Sequence, residues 1–228
     1  MTPRSELKYY IPMAYARLLE MRLSTVLRRD RHTAANGFYR IRSLYFDDPD
    51  LAAYHDKLGG FRDRVKWRLR YYNDDVGYIR LEEKRKQGSL SFKSYTSLPF
   101  SVAEDLALSR DLKMAAPPPL LEAFLLKREA ERMRPTLFVE YERRAFLYPA
   151  GNVRVTLDSS LRAAPFRGDL ASPPPAFPVL DGEEVILEVK FDSFLPPFIT
   201  QLLEDVPKTP SAISKYSQCM ERIGSIVC

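Results

Sequence analysis

Along "RDRVKWRLRYY" (62–72), cations recur at every second position, so Arg62, Arg64, Lys66, Arg68 and Arg70 share one face of an extended strand. Phe61, Val65, Trp67, Leu69 and Tyr71 share the other, with Asp63 the only charge among them. An apolar face of this kind must pack, so the strand belongs to a folded sheet. Its cationic face meets either water or an anion. The alternation returns in "YIRLEEKRK", where Arg80, Glu82, Lys84 and Lys86 oppose Ile79 and Leu81. In "NVRVTLDSS", Arg154, Thr156 and Asp158 oppose Val153, Val155 and Leu157, and in "EEVILEVKFD" Glu184, Glu188, Lys190 and Asp192 oppose Val185, Leu187, Val189 and Phe191. "ELKYYI" sets Glu6 and Lys8 on one side.

Between these strands the pattern changes period. "PMAYARLLEMRLSTVLRRD" reads as an amphipathic helix with Pro12 at its mouth and cations in its last turn. "GFYRIRSLYFDD" reads as a strand, and "PDLAAYHDKLGG" as a turn or short helix. "NDDVG" (73–77) is turn chemistry, so the strands flanking it form an antiparallel hairpin. A further strand is expected at "LSFKSY", helices at 101–113 and 119–133, and a second hairpin from "TLFVEYERRAFL" to "NVRVTLDSS". "APFRGDLASPPPAFP" is a loop, and two C-terminal helices follow, one from about Pro196 and one around "SAISKYSQCMERI". With no internal repeat and charged strands throughout, residues 1–228 read as one domain.

Composition narrows the class. Hydrophobic residues at 45% and aromatics at 12% exclude a disordered chain, and a net charge of +5 suits a polyanionic partner without identifying it. Cys219 and Cys228 are the only cysteines, too few for a disulfide framework or zinc spacing, which favours a reducing compartment. "MTPRSELKYYIP" has no apolar run for a signal peptide, and no stretch approaches the roughly 20 apolar residues of a membrane span. The expectation is a cytoplasmic protein, reaching the inner face of a membrane only through a partner.

One such strand is ordinary, because polar-out alternation is how half-exposed sheets solve burial. Taken together, the polar faces carry few amides or hydroxyls and many Arg and Lys. Like charges opposed across a sheet repel. The expected architecture is α+β: a closed antiparallel barrel or tunnel whose lumen holds a polyanion, with helices on its outer apolar faces. Arg suits phosphate through its two-pronged donor geometry, and Lys as a compact charge. Among the interspersed carboxylates, Glu188 above all suits a hard cation, Mg²⁺ or Mn²⁺, bridging phosphate oxygens. Glu82 reads as a metal ligand or, preferably, as the counter-charge of its cationic neighbours. Arg62, Lys66, Arg85 and Lys86 read as solvated or rim charges.

"SLYFDD", "RVKWRLRYY", "LEEKRK", "YERRAF", "VRVTLD", "LEVKFD" and "SKYS", in this order, resemble the VTC domain of polyphosphate polymerases. That domain is the catalytic part of the vacuolar transporter chaperone complex, has bacterial stand-alone relatives, and belongs to the triphosphate tunnel metalloenzymes. The resemblance implies a tunnel of about eight strands that uses Mn²⁺ or Mg²⁺ and transfers the γ-phosphate of ATP onto a growing inorganic polyphosphate chain. By motif, Lys8, Arg68, Arg70, Lys84, Lys93, Arg143 and Arg154 are implied phosphate ligands, Arg64 on the same face is counted as substrate-binding, and Arg68, Arg70, Lys84, Arg154 and Glu188 form the expected catalytic set. Glu188 is the implied metal ligand, and Lys190 and Lys215 complete the cationic lining. In "VPKTPSAISK", Lys208 stands further from Lys215 than the family's paired lysines do. Arg143 has the opposite parity to Glu140 and Glu142, so a bulge or register change is needed to turn it inward.

Three other functions use the same residue types. A tunnel-fold triphosphatase would use water as the nucleophile, and a non-catalytic binder would keep the cations without needing Glu188. A nucleic-acid binder would place its charge in an open groove beside stacking rings, which these carboxylate-studded strands do not suggest.

Overall fold

The structure, a computed structural model, describes residues 5–88, 90–112, 114–180, 182–204, 206–207, 209–210 and 213–227. In chain order the strands are β1 (Ser5–Pro12), β2 (Arg28–Arg29), β3 (Tyr39–Asp47), β4 (Arg64–Tyr72), β5 (Asp75–Gln87) and β6 (Leu90–Leu98). After these come β7 (Arg134–Tyr148), β8 (Val153–Pro165), β9 (Phe177–Pro178), β10 (Glu184–Phe191) and β11 (Thr209–Pro210). The helices are α1 (Met13–Val26), α2 (Ala52–Leu58), α3 (Phe100–Ala107), α4 (Pro119–Ala130), α5 (Pro197–Glu204) and α6 (Lys215–Val227). None of the described helices is long and apolar enough to cross a membrane.

The chain divides into two compact units. The first comprises Met1–Arg40, Tyr141–Leu161 and Leu180–Ile213. Its ladder runs β11-β1-β10-β8 and on to the second half of β7, with β2 on the far edge of β7. Strand β1 lies antiparallel on β10 with Lys8 opposite Glu188 and Glu6 opposite Lys190. The other parity of the same strands is apolar: Ile11, Val155, Leu157, Val185, Leu187 and Val189 are buried with Leu19 and Leu23 of α1 and Ile199 and Leu203 of α5. Each such side chain contributes about 1.5–3 kcal/mol by leaving water, which holds both helices to the apolar face and leaves the charged face to other work.

The second unit comprises Ile41–Glu140, Arg162–Val179 and Ser214–Cys228. Here the first half of β7 pairs with β3, and the ladder continues through β4 and β5 to β6. Helices α3 and α4 cover its apolar face, where the Phe124 ring sits 5.0 Å from Phe46 and 5.1 Å from Trp67. On α6, Tyr216 stacks on Tyr45 with centroids 4.7 Å apart and donates its hydroxyl to Asp47 at 2.6 Å. Asp47 also accepts the backbone N–H of Ala53 at 3.0 Å, tying down the start of α2. Strands β4 and β5 meet at a two-residue turn, Asn73 (φ 51°) and Asp74 (φ 61°), with Tyr72 paired to Asp75. Left-handed backbone at both positions marks the primed hairpin turn whose twist matches its strands.

Neither ladder returns to its own first strand, so the described sheet is open and the closed barrel expected from the sequence is not formed by hydrogen bonding. The architecture is an antiparallel α+β sheet of many strands with helices on its apolar faces. The sequence overestimated helix ends: α1 stops at Val26, because Arg28 and Arg29 peel off to pair with Leu147 and Phe146. Helix α3 likewise ends at Ala107, short of 113.

Candidate functional site

In the second unit, register stacks cation on cation. Directly opposed pairs across β4, β5 and β6 include Arg64 with Lys86, Lys66 with Lys84, Arg70 with Arg80, and Lys84 with Lys93. Opposed like charges destabilise a sheet. Relief comes from within where Arg68 lies opposite Glu82. Glu82 is fully buried. Its carboxylate accepts from Arg68 Nε at 2.8 Å and pairs with Arg68 Nη2 at 2.7 Å, Arg70 Nη1 at 3.5 Å and Lys93 Nζ at 2.7 Å. Burial opposes its charge, but Arg70, Arg68 and Lys93 outweigh burial and hold the carboxyl well below the usual carboxylate range.

Two further bonds aim the arginines. Arg68 Nη1 donates to the Tyr45 hydroxyl at 2.7 Å, and Arg70 Nε donates to Ser43 Oγ at 3.1 Å. Tyr45 and Ser43 are the residues paired with Arg68 and Arg70 across β3 and β4, so register alone sets both contacts. Lys66, expected as a solvated rim charge, is instead covered: it lies 4.8 Å from the Tyr216 ring centroid and donates to Ser214 Oγ at 3.0 Å. Burial, then Arg64 beside it, pull its ammonium down to about 7.

The first unit arranges its charges differently. Glu188 is 5% exposed and faces Lys190 Nζ at 2.9 Å, Arg143 Nη2 at 3.6 Å and Lys8 Nζ at 3.8 Å. Glu6 bridges Lys8 and Lys190, at 3.3 Å from each. Arg143 donates from Nε and Nη2 to the two oxygens of buried Asp158, both at 2.6 Å. Burial opposes the Arg143 charge, but Asp158 and Tyr141 hold its pKa well above the usual value. Arg154 Nη2 donates to Asp30 at 3.0 Å and to the Tyr39 hydroxyl at 2.9 Å. The parity conflict at Arg143 coincides with broken alternation in β8, where Asp158 and Ser159 are both buried and Ser160 takes φ 54°.

The residues singled out from sequence therefore fall into two groups. Lys8, Arg143, Arg154, Glu188 and Lys190 gather in the first unit, and Arg68, Arg70, Lys84 and Lys93 in the second. Arg64 is at the end of β4, with Nη1 on the Phe61 carbonyl at 3.0 Å. Lys215 opens α6, close enough to Cys219 for its charge to act on that thiol. Lys208 lies outside the described residues. Sequence reading missed Asp30, Tyr39, Ser43 and Tyr45 as partners of these arginines. For Ser43 and Tyr45, only the β3–β4 register could have revealed them.

Among the described residues, no three His, Cys, Asp or Glu side chains cluster to hold a metal ion. Glu188 alone, ringed by cations, offers one protein ligand. That donor set fits Mg²⁺ or Mn²⁺ in the mode that uses one or two carboxylates and takes its other ligands from water and phosphate.

The profile of the VTC domain family matches residues 3–223. No curated protein matches the sequence. Among solved structures, the PH1819 protein from Pyrococcus horikoshii OT3 superimposes with a TM-score of 0.50 at 12% identity, covering 97% of this chain and 99% of that one. A candidate adenylate cyclase from Bacillus halodurans superimposes with a TM-score of 0.52 at 13% identity, covering 94% and 97%. At that identity both likenesses speak to the fold alone. Nearly the whole chain is spanned by the one family profile, and the protein belongs to the VTC domain family.

Proposed function

We propose that the protein is a metal-dependent polyphosphate polymerase, transferring the γ-phosphate of ATP onto inorganic polyphosphate. The observation that carries this reading is the set of directly opposed cation pairs on β4, β5 and β6, with buried Glu82 shared among Arg68, Arg70 and Lys93. A chain of phosphates supplies the negative charge that such a face lacks. Membership of the VTC domain family supports the same substrate class.

Arg68 and Arg70, aimed by Tyr45, Ser43 and Glu82, bind and orient phosphate oxygens, and Lys84 and Lys93 add point charges beside them. In the other cluster, Lys8, Lys190, Arg143 and Arg154 neutralise phosphate charge. Glu188 would hold the divalent cation, which when bound withdraws charge from phosphate oxygens. Positioning and charge neutralisation suffice for phosphoryl transfer when the nucleophile is the terminal phosphate of the chain, which needs no general base.

The test is incubation of the purified protein with ATP and Mn²⁺ or Mg²⁺, with products resolved on a polyphosphate gel. Long chains are expected. Orthophosphate alone would identify a triphosphatase, and no turnover with retained tripolyphosphate binding would identify a binding module.

A further inference from the structure

Beyond Glu82 the same face of β5 and β6 changes character. Tyr78 and Arg80 precede Glu82 at the same parity, and Tyr95 of β6 is paired directly with Glu82. Both rings are open to solvent, Tyr78 at 44% and Tyr95 at 56% exposure. The Arg80 guanidinium carbon sits 4.9 Å from the Tyr78 ring centroid and 4.5 Å from that of Tyr95. Its Nε and Nη2 donate to the Tyr78 hydroxyl at 3.0 and 2.5 Å. The result is a planar cation held between two exposed rings at the border of the phosphate-type cluster. Core packing does not explain it, because Ile79 and Leu81, the buried apolar residues that flank Arg80, lie at the opposite parity.

We propose that Tyr78, Arg80 and Tyr95 form the subsite for the base of a nucleoside triphosphate, resting on the reading above that Arg68, Arg70 and Lys93 take its phosphates. Same-face neighbours on a strand are about 6.6 Å apart. The step from Arg80 to Glu82 and its cations is thus a gap that one ribose spans. Aromatic rings and guanidinium planes stack on any nucleobase, since every base has a π-face. A platform of this composition favours a nucleoside triphosphate over a bare triphosphate and discriminates weakly between adenine and guanine.

Calorimetric titration of the full chain with ATP, GTP, methyl triphosphate and an oligothymidylate tests this. Methyl triphosphate carries the phosphates with no base. Tyr95→Ala is expected to weaken ATP and GTP binding by about 5- to 150-fold, the range of one lost base stack. Methyl triphosphate affinity should stay within twofold of wild type, and Tyr95→Phe should retain ATP binding. Thermal melts confirm that the variants fold. Should Tyr95→Ala leave ATP unchanged while wild type binds both triphosphates, the base subsite is wrong and the phosphate reading stands. Equal losses for ATP and methyl triphosphate overturn it too. If wild type binds neither triphosphate, the phosphate reading fails and the subsite with it. Oligothymidylate binding tighter than ATP, and lost in Tyr95→Ala, would assign the platform to single-stranded nucleic acid instead.

Discussion

The two charged faces solve one problem in opposite ways. In the first unit Lys8, Lys190, Arg143 and Arg154 are met by Glu188, Glu6, Asp158 and Asp30, so four cations have four carboxylates. In the second, Arg64, Lys66, Arg68, Arg70, Arg80, Lys84, Lys86 and Lys93 crowd one face of β4, β5 and β6, where Glu82 is buried among Arg68, Arg70 and Lys93 and Asp47 of β3 acts on Lys66. The balanced face is organised before any ligand arrives. The overloaded face has a standing demand for anions, concentrated on one buried glutamate. Stability and catalysis should therefore separate between the two carboxylates.

The largest effect is expected at Glu82. Glu82→Gln strips Arg68, Arg70 and Lys93 of their shared partner and should destabilise the fold by about 3–5 kcal/mol in urea titrations. Added tripolyphosphate should restore more stability to this variant than to wild type. A loss below about 1 kcal/mol would mean that the overloaded face needs no internal counter-charge. The pH dependence follows the sign of the shift. Folded Glu82 has a depressed pKa, so its contribution is present above the unfolded value of 4.5 and lost as pH falls below it. The gap between wild type and Glu82→Gln should close under acid.

Glu188→Gln is the converse. Melting should fall less than for Glu82→Gln, because Glu6 and Asp158 still meet Lys8, Lys190 and Arg143, while ATP turnover falls at least 100-fold, about 2.7 kcal/mol in the barrier, and metal-free tripolyphosphate binding persists or strengthens. Metal-dependent turnover at the wild-type rate would remove Glu188 from its assigned role. Arg70→Ala should weaken tripolyphosphate binding by roughly 1.5–3 kcal/mol through loss of one charge-assisted contact, read by calorimetry. The last comparison is at Lys66. Its folded pKa is about 7 and its ordinary value 10.5, so the unfolded chain binds the extra proton between them and stability rises with pH across that window. Lys66→Met should flatten this slope, which is at most about 1.4 kcal/mol per pH unit; an unchanged slope would show that another group titrates.

Period-two patterning made the strands and their charged sides legible, because side-chain direction alternates whatever the partner strand. The Asn73–Asp74 turn was legible for a similar reason, since its chemistry is local. What each cation meets was not. Glu82 shares parity with Arg80 and Lys84, and only the register that sets it opposite Arg68 shows it to be the hub. The partner of Arg143 was not legible, because Asp158 lies on β8 where alternation breaks near Ser160. Closure of the sheet, too, depends on which strands stand at its ends, a non-local matter that no single strand's pattern carries.

The turn at Asn73 and Asp74 makes the length of this hairpin as constrained as its composition. A one-residue slip would exchange the two sides of β4 against β5, setting Trp67, Leu69 and Tyr71 among the cations and turning arginines toward Phe124. The irregularity between Arg70 and Tyr72 is where slack exists. Descendants of this sequence are thus free to trade one residue for another along both strands, yet a single inserted or deleted codon between Arg64 and Arg70 would invert the hairpin rather than merely blemish it.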